Sequence, residues 1–433
     1  MRLELANFPV KDVRFTGHTS YSNGVLEADK EELLKLILED KRVESADVDV
    51  AFPDEQTRIV LVREVVEPRV KISGKGCVFP GIMGAPETVG DGRTHRLSGV
   101  TVMTSVKYRP TITSGTAMSF SGTVDMWGPG SQVTPFGSLI NIVLVLKLID
   151  EVTEVEAHSA IQLAAFKVAH RLAETTRNKT PENVEVFELA KTDPSLPRVV
   201  YNLCAYTEWH IFHSGVALYG YSVRESLPTF IHPNEFFDGV LTPDARRTAG
   251  VWTTSWGWMN HPVVVQLLKE HGKRLNFLGV VLQRTRFEAQ SGKQMTAAIT
   301  SQMARLLEAD GAIFTRLVPS GNNFMDVMLT LQAYEEKGIK TVLLTPEWGG
   351  SEGNEIPLMF YVPGATAMVT TGSSQRTIKL PAPTKVIGGE DSQPVDLCPG
   401  DTFAPWGEAT VWRGFINGGV DWWGGGYGTC EQY

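Results

Sequence analysis

Apolar and polar positions along this chain follow two different rhythms. Up to about residue 148 the apolar residues come in short alternating or β-branched runs, at 48–51, 58–66, 100–105 and 140–146, separated by Gly and Pro. That pattern predicts mainly strands. One helix interrupts them at 29–38, where Leu33, Leu34, Leu36, Ile37 and Leu38 fall at mostly helical spacing. A longer helix is predicted at 155–173, because Ile161, Ala164, Ala165, Val168 and Leu172 form an i, i+3, i+4, i+7, i+11 stripe.

From Asn276 onward, nearly continuous apolar runs at 277–282, 312–317, 341–345 and 367–370 alternate with helical patterns at 293–308 and 324–337 and a weaker one near Ile356. Gly311 and Gly338 stand where a glycine is expected just past a helix. The expected fold is α/β: a β-rich mixed N-terminal half over 1–240, then a doubly wound parallel-sheet C-terminal domain over 241–388. An aromatic, glycine-rich tail over 389–433 is expected to dock on the rest, since its tryptophans would otherwise expose a large apolar patch.

In doubly wound sheets ligands bind outside the carboxyl ends of the strands. The loops expected there, 283–292, 319–323, 346–350 and 371–374, bring amides, hydroxyls and one carboxylate to a single edge. Asn322, Asn323 and Gly349 are candidate substrate-binding residues and Glu347 a candidate catalytic carboxylate, against the plainer reading that Gly and Asn simply let the chain turn. None of these loops is GxGxxG or GxxxxGK[ST], so no nucleotide is indicated.

Composition narrows the classes. With 433 residues, 42% of them apolar and 21% charged, the chain is long enough for two or three cores and is neither disordered nor fibrous. A net charge of -9 without any Lys/Arg run argues against a nucleic-acid surface. The longest apolar run, 140–146, is too short to span a bilayer, and the first fifteen residues mix charges among apolar positions, so neither membrane nor secretion is expected and the location read is cytoplasmic. Four cysteines without a CxxC pair suit reduced thiols.

The string Glu208-Trp209-His210-Ile211-Phe212-His213 offers a candidate metal set, Glu208, His210 and His213, of a kind that suits zinc or another divalent ion. The competing reading is a strand from Val199 into Ala205 that leaves the histidines as ordinary loop or core residues. His95 and His232 are candidate catalytic bases, since a histidine in a cleft titrates near neutral pH. Of the ten tryptophans, Trp252, Trp256 and Trp258 crowd one segment and Trp406, Trp412, Trp422 and Trp423 the tail. Aromatic faces enclose amine cations or pack interfaces, and Trp256 is taken as the candidate substrate contact.

Several strings resemble a known family over nearly the whole length. They include 72–92, Gly92-Arg93-Thr94-His95, Asp125-Met126-Trp127-Gly128-Pro129-Gly130, 227–239 (LPTFIHPNEFFDG), Asn260-His261-Pro262-Val263-Val264, Ala309-Asp310-Gly311 and Lys385-Val386-Ile387-Gly388. The order and spacing are similar to the proprotein of component B of the glycine/sarcosine/betaine reductases. The resemblance implies a two-part chain in which a cysteine shortly after the step matching Asp238-Gly239 becomes a pyruvoyl group. That group binds the substrate amine, and a partner's selenol or thiol helps break the C–N bond. Here residues 240–258 contain no cysteine, so the pyruvoyl group and the self-cleavage are not carried over, although Ser255 and Thr254 lie in that segment. The leading expectation is an enzyme that cleaves a C–N bond of a small amine, amide or nitrogen heterocycle by hydrolytic or metal-assisted chemistry. The alternatives are a reductase component B subunit with atypical pyruvoyl formation, or a non-catalytic subunit that positions substrate. Expected partners are a small nitrogenous substrate and either a second copy of the chain or a reductase-like subunit.

Overall fold

The computed structural model describes residues 1–107, 122–207, 215–244, 253–317, 321–347, 360–373, 376–388, 395–398 and 401–425. The predicted α/β class is the one observed, with two mixed sheets built largely from the first half and one parallel sheet from the second.

In the first half, the β-branched runs become the strands Val43–Ala51, Thr57–Val66, Val100–Lys107 and Ile140–Leu148. They share one sheet with Gly122–Asp125 at its edge. A second sheet orders Asn183–Glu188, Arg2–Pro9, Gly92–Ser98 and Arg69–Ser73. The helix Glu154–Glu174 packs against strands of both sheets. It starts where it does because Thr153 and Glu156 form a capping box that satisfies free N–H groups at the helix entrance. Its stripe Ile161, Ala164, Ala165, Val168 and Leu172 is buried throughout. The shorter helix Lys30–Leu38 begins after Asp29, whose carboxylate accepts from the amides of Glu31 and Glu32.

The parallel sheet orders Thr229–Ile231, Asn276–Thr285, Arg198–Tyr206, Gly311–Arg316, Lys340–Glu347 and Met368–Ser373, and only the first strand runs antiparallel. Its central strand, Arg198–Tyr206, comes from before residue 240, so the expected boundary at 240 cuts through a sheet. Local pattern cannot show this, because the partners of that strand lie about 80 and about 110 residues further on. Lys385–Ile387 likewise crosses back to pair with Thr57–Val66. Gly338 does follow the helix Gly321–Glu335 with a positive φ of 77°. Gly311 does not close its helix. Gln290–Leu306 is ended by Glu308 at φ 53°, with the Ala309 amide donating to Ala304, and Gly311 opens the next strand. The weak helix expected near Ile356 lies outside the described residues. No helix among the described residues is long and apolar enough to cross a membrane.

One buried cation fastens the C-terminal segments to the first half. Arg58 donates from Nε and Nη2 to the two oxygens of Asp125 (2.7 and 3.0 Å), from Nη1 to the carbonyls of Pro405 and Gly407, and from Nη2 to that of Pro381. Both side chains of the pair are fully buried. Removing one member of such a pair leaves the other charge desolvated and alone, so Arg58→Ala should cost about 3–5 kcal/mol. Denaturant unfolding would measure the loss. Limited proteolysis should show new cuts around residues 381–407, and unchanged stability with no new cuts would refute this role.

Candidate functional site

The run Ile59-Val60-Leu61-Val62-Arg63-Glu64-Val65-Val66 places a carboxylate in the middle of a buried strand. Glu64 is 3% exposed, so its oxygens have to be satisfied from within the protein. Ser255 supplies two donors, its backbone amide at 2.8 Å and its hydroxyl at 3.0 Å. The Val65 amide (2.9 Å) and the Gln162 side chain (3.4 Å) complete the set. Burial still dominates and pushes the Glu64 carboxyl up to about 7.

This contact also explains how the helix Ser255–Met259 begins. Thr254 occupies the N-cap with an extended backbone, yet its side chain makes no capping bond. The carboxylate of Glu64, from a distant strand, takes that place at the Ser255 amide. The Thr254 carbonyl accepts from the amides of Gly257 and Trp258 at 3.0 and 3.3 Å.

The segment that follows Thr253 forms one wall of a cavity of about 250 Å³. Phe136 and Trp256 meet edge to face at 5.4 Å on one side, and Trp422, Trp423 and Asp421 from the C-terminal region form another. Trp423 stacks obliquely on His261 at 4.0 Å and lies 5.2 Å from Trp258. His261 is buried, is held well below its ordinary range at about 3 by desolvation, and shares a 3.0 Å hydrogen bond with the Tyr201 hydroxyl. It is a neutral ring behind Trp423 at physiological pH.

Of the residues expected from sequence, Trp256 lies on this cavity. His95 sits in the strand Gly92–Ser98, its Nδ1 3.1 Å from the Thr176 hydroxyl and its ring against Phe8. Burial lowers its pKa to about 4. His232 caps the turn Pro233–Asp238, accepting from the Asn234 amide, and desolvation likewise brings it down to about 4. Asn322 and Asn323 lie in the first turn of the helix Gly321–Glu335, and Glu347 ends the strand Lys340–Glu347 in register with Ser373. Among the described residues, the lining of the aromatic cavity includes neither Asn322, Asn323, His95 nor His232. Gly349 and the set Glu208, His210 and His213 lie outside the described residues. Among the described residues no group of three or more His, Cys, Asp or Glu is placed to hold a metal ion. Cys204 is buried and its thiol is pushed well up by desolvation, and Cys77 is raised for the same reason.

Sequence reasoning missed Glu64 and Phe136. The signal for Glu64 was present as one acid inside an otherwise β-branched run. Phe136 carried none, because its role depends on which distant segment packs over it.

Fold and site define a mixed α/β protein with an aromatic cavity closed by its own C-terminal residues beside a buried carboxylate. The chain belongs to the family of glycine/sarcosine/betaine reductase component B subunits, which residues 1–403 match. It is 34% identical over 407 residues to the glycine reductase complex component B subunits alpha and beta of Acetoanaerobium sticklandii, covering 92% of each chain. It is 33% identical over 401 residues to the betaine reductase complex component B subunit alpha of Peptoclostridium acidaminophilum, covering 90% of this chain and 88% of that one. The sarcosine counterpart from the same organism is 32% identical over 400 residues, covering 90% and 89%. No solved structure matches the chain.

Because the native Glu64 carboxyl is raised above its unfolded value, it keeps a proton between about pH 4.5 and 7 that the unfolded chain has released. Its contribution to stability therefore falls as pH rises through that window and levels off above it. Glu64→Gln should gain on the parent chain by about 3 kcal/mol between pH 4.5 and 8, since each pH unit separating the native from the unfolded pKa is worth about 1.4 kcal/mol. Urea unfolding of both proteins at the two pH values measures this, and a gap that does not change with pH would contradict the raised pKa.

Proposed function

We propose that this chain is the component-B-type subunit of an amine-reducing complex and that it holds a small amine in the cavity beside Ser255, with its C–N bond offered to a partner subunit. Family membership over residues 1–403 supports this reading over the hydrolytic one expected from sequence, since the relatives are named as reductase components. The observation that carries the site is the position of residues 253–260. This stretch, which includes the residues standing where the family resemblance implies a cysteine, is buried against Glu64 and walls the cavity. In this reading the chain stays uncut and its residues bind and orient the substrate.

The Glu64–Ser255 contact favours a second reading of the same subunit, in which a carbonyl arises from Ser255. The residues fit that group. The serine hydroxyl donates to a carboxyl titrating near 7, which accepts its proton, and two amides already hold the Thr254 carbonyl oxygen. Attack of Ser255 Oγ on the Thr254 carbonyl carbon would break the Thr254–Ser255 peptide bond and leave an ester. Elimination of the Thr254 carboxylate and hydrolysis of the resulting imine would release ammonia and leave a carbonyl at the new N-terminus. That carbonyl would act as an electrophile toward the substrate amine.

Two measurements test the reading. Mixed with a thiol- or selenol-bearing partner subunit and a dithiol reductant, the chain should support amine-dependent C–N cleavage, which stops without reductant. Cleavage by the chain alone, without reductant, would restore the hydrolase instead. Denaturing mass spectrometry separates the two forms. A single full-length mass supports the uncut subunit, whereas a break at Thr254–Ser255 that Ser255→Ala abolishes supports the second.

A further inference from the structure

We infer that residues 420–425 are a lid on the aromatic cavity, latched by Trp423 and pivoting at Gly418 and Gly419. The inference concerns access to the cavity and holds for any ligand, so it stands independently of the amine reading above. Val420, Asp421, Trp422, Trp423 and Gly425 line the cavity, while its other walls come from residues 253–262 and from Pro135 and Phe136.

The chain is bolted down just before the lid. The Asn417 amide donates to the Thr123 carbonyl at 2.9 Å, and the Thr134 hydroxyl donates to the Asn417 carbonyl at 2.6 Å. Arg413 donates from Nε to the Gly419 carbonyl at 2.5 Å. Gly418 follows the bolt with a φ of 73°, where a side chain would be strained. A Cβ there would also stand 3.0 Å from Phe136, Pro135 and the Thr134 hydroxyl. Glycine thus supplies both the close approach and the freedom to pivot.

Beyond the pivot, Asp421 folds the lid on itself, one carboxylate oxygen accepting from the amides of Trp423 and Gly425 at 3.2 and 2.8 Å. Both bonds lie inside the lid and survive its movement, so it swings as one piece. The latch is aromatic contact: Trp423 lies 4.0 Å from the His261 ring and 5.2 Å from that of Trp258. Such contact parts without stranding a polar group. The closed seat, by contrast, strands two. The Trp423 indole N–H and the Thr253 hydroxyl of the adjoining wall are buried without a hydrogen-bond partner. Opening brings water to both donors, which returns part of what is lost in packing. Entry and exit of whatever the cavity holds then wait on this movement.

A reporter thiol tests this on the full-length chain. Thr253→Cys places it in the cavity and removes no hydrogen bond, since that hydroxyl has no partner. Cys204, fully buried in the parallel sheet, serves as the reference. Labelling by iodoacetamide, read peptide by peptide in a mass spectrometer, should be at least tenfold faster at the reporter than at Cys204. It should also stay nearly flat in low urea, because lid movement exposes little surface, whereas labelling of Cys204 through unfolding should climb steeply. A second variant shuts the lid. A Cβ on Gly425 would lie 3.4 Å from the Pro262 Cβ, close to the about 3.5–4.5 Å span of a disulfide. With Pro262→Cys and Gly425→Cys added and their crosslink confirmed by peptide mapping, reporter labelling should fall at least tenfold and recover when the crosslink is reduced. The same urea dependence at both thiols would mean that the cavity opens only when the chain unfolds. Labelling unchanged by the crosslink would mean that access runs elsewhere. Either result overturns the inference, and since the assay contains neither amine nor partner subunit, its outcome leaves the proposed function untouched.

Discussion

A carboxylate without water has to collect its donors from the chain, and the way Glu64 does so fixes the relation of four segments. Ser255 reaches it from the helix Ser255–Met259 and Gln162 from the helix Glu154–Glu174, while Val65 serves it from its own strand. Gln162 donates in addition to the carbonyl of Pro243, which adds the strand Leu241–Pro243 to the same knot. Loss of any member leaves a desolvated polar group, so the set is cooperative in the sense that each contact depends on the others. The cavity wall inherits its position from this knot.

The same device recurs around the segment 233–260. Arg69 donates to the carbonyl of Phe237 and to the side chain of Asn260, both at 2.7 Å, while its Nε holds Glu67. Asp238 accepts from Thr94, Lys71 and the amide of Gly90, which ties two strands of the N-terminal sheet to the turn before Gly239. Charged side chains are thus used as internal bolts between parts that are distant in sequence. The cavity is consequently formed before any ligand arrives, which limits the ordering cost of binding.

That economy has a consequence for chemistry. Several histidines that look suitable as bases, His95, His232 and His261, are buried in folding contacts that lower their pKa values well under the physiological range. What the cavity offers instead is a set of aromatic faces and one carboxylate, with the Ser255 hydroxyl, on a carboxyl that titrates near 7, buried beside the wall. This arrangement suits binding and orientation of a cationic amine better than activation of water.

Local periodicity was enough to define the α/β class, the helices Lys30–Leu38 and Glu154–Glu174, and the alternation of strands and helices after Asn276. Each of these follows from the chain's own pattern, because the burial of a strand or helix face is written in the spacing of its apolar residues. The pattern also marked the two tryptophan-rich segments as unusual. Long-range packing was needed to bring Trp256 and Trp423, well over a hundred residues apart, to one cavity, and to make Arg198–Tyr206 the centre of the parallel sheet. Glu64 and Ser255 were equally unreadable as a pair. Their meeting depends on how a helix packs across a strand nearly two hundred residues earlier, and no local pattern of hydrophobic and polar positions encodes which distant donor a buried carboxylate will find.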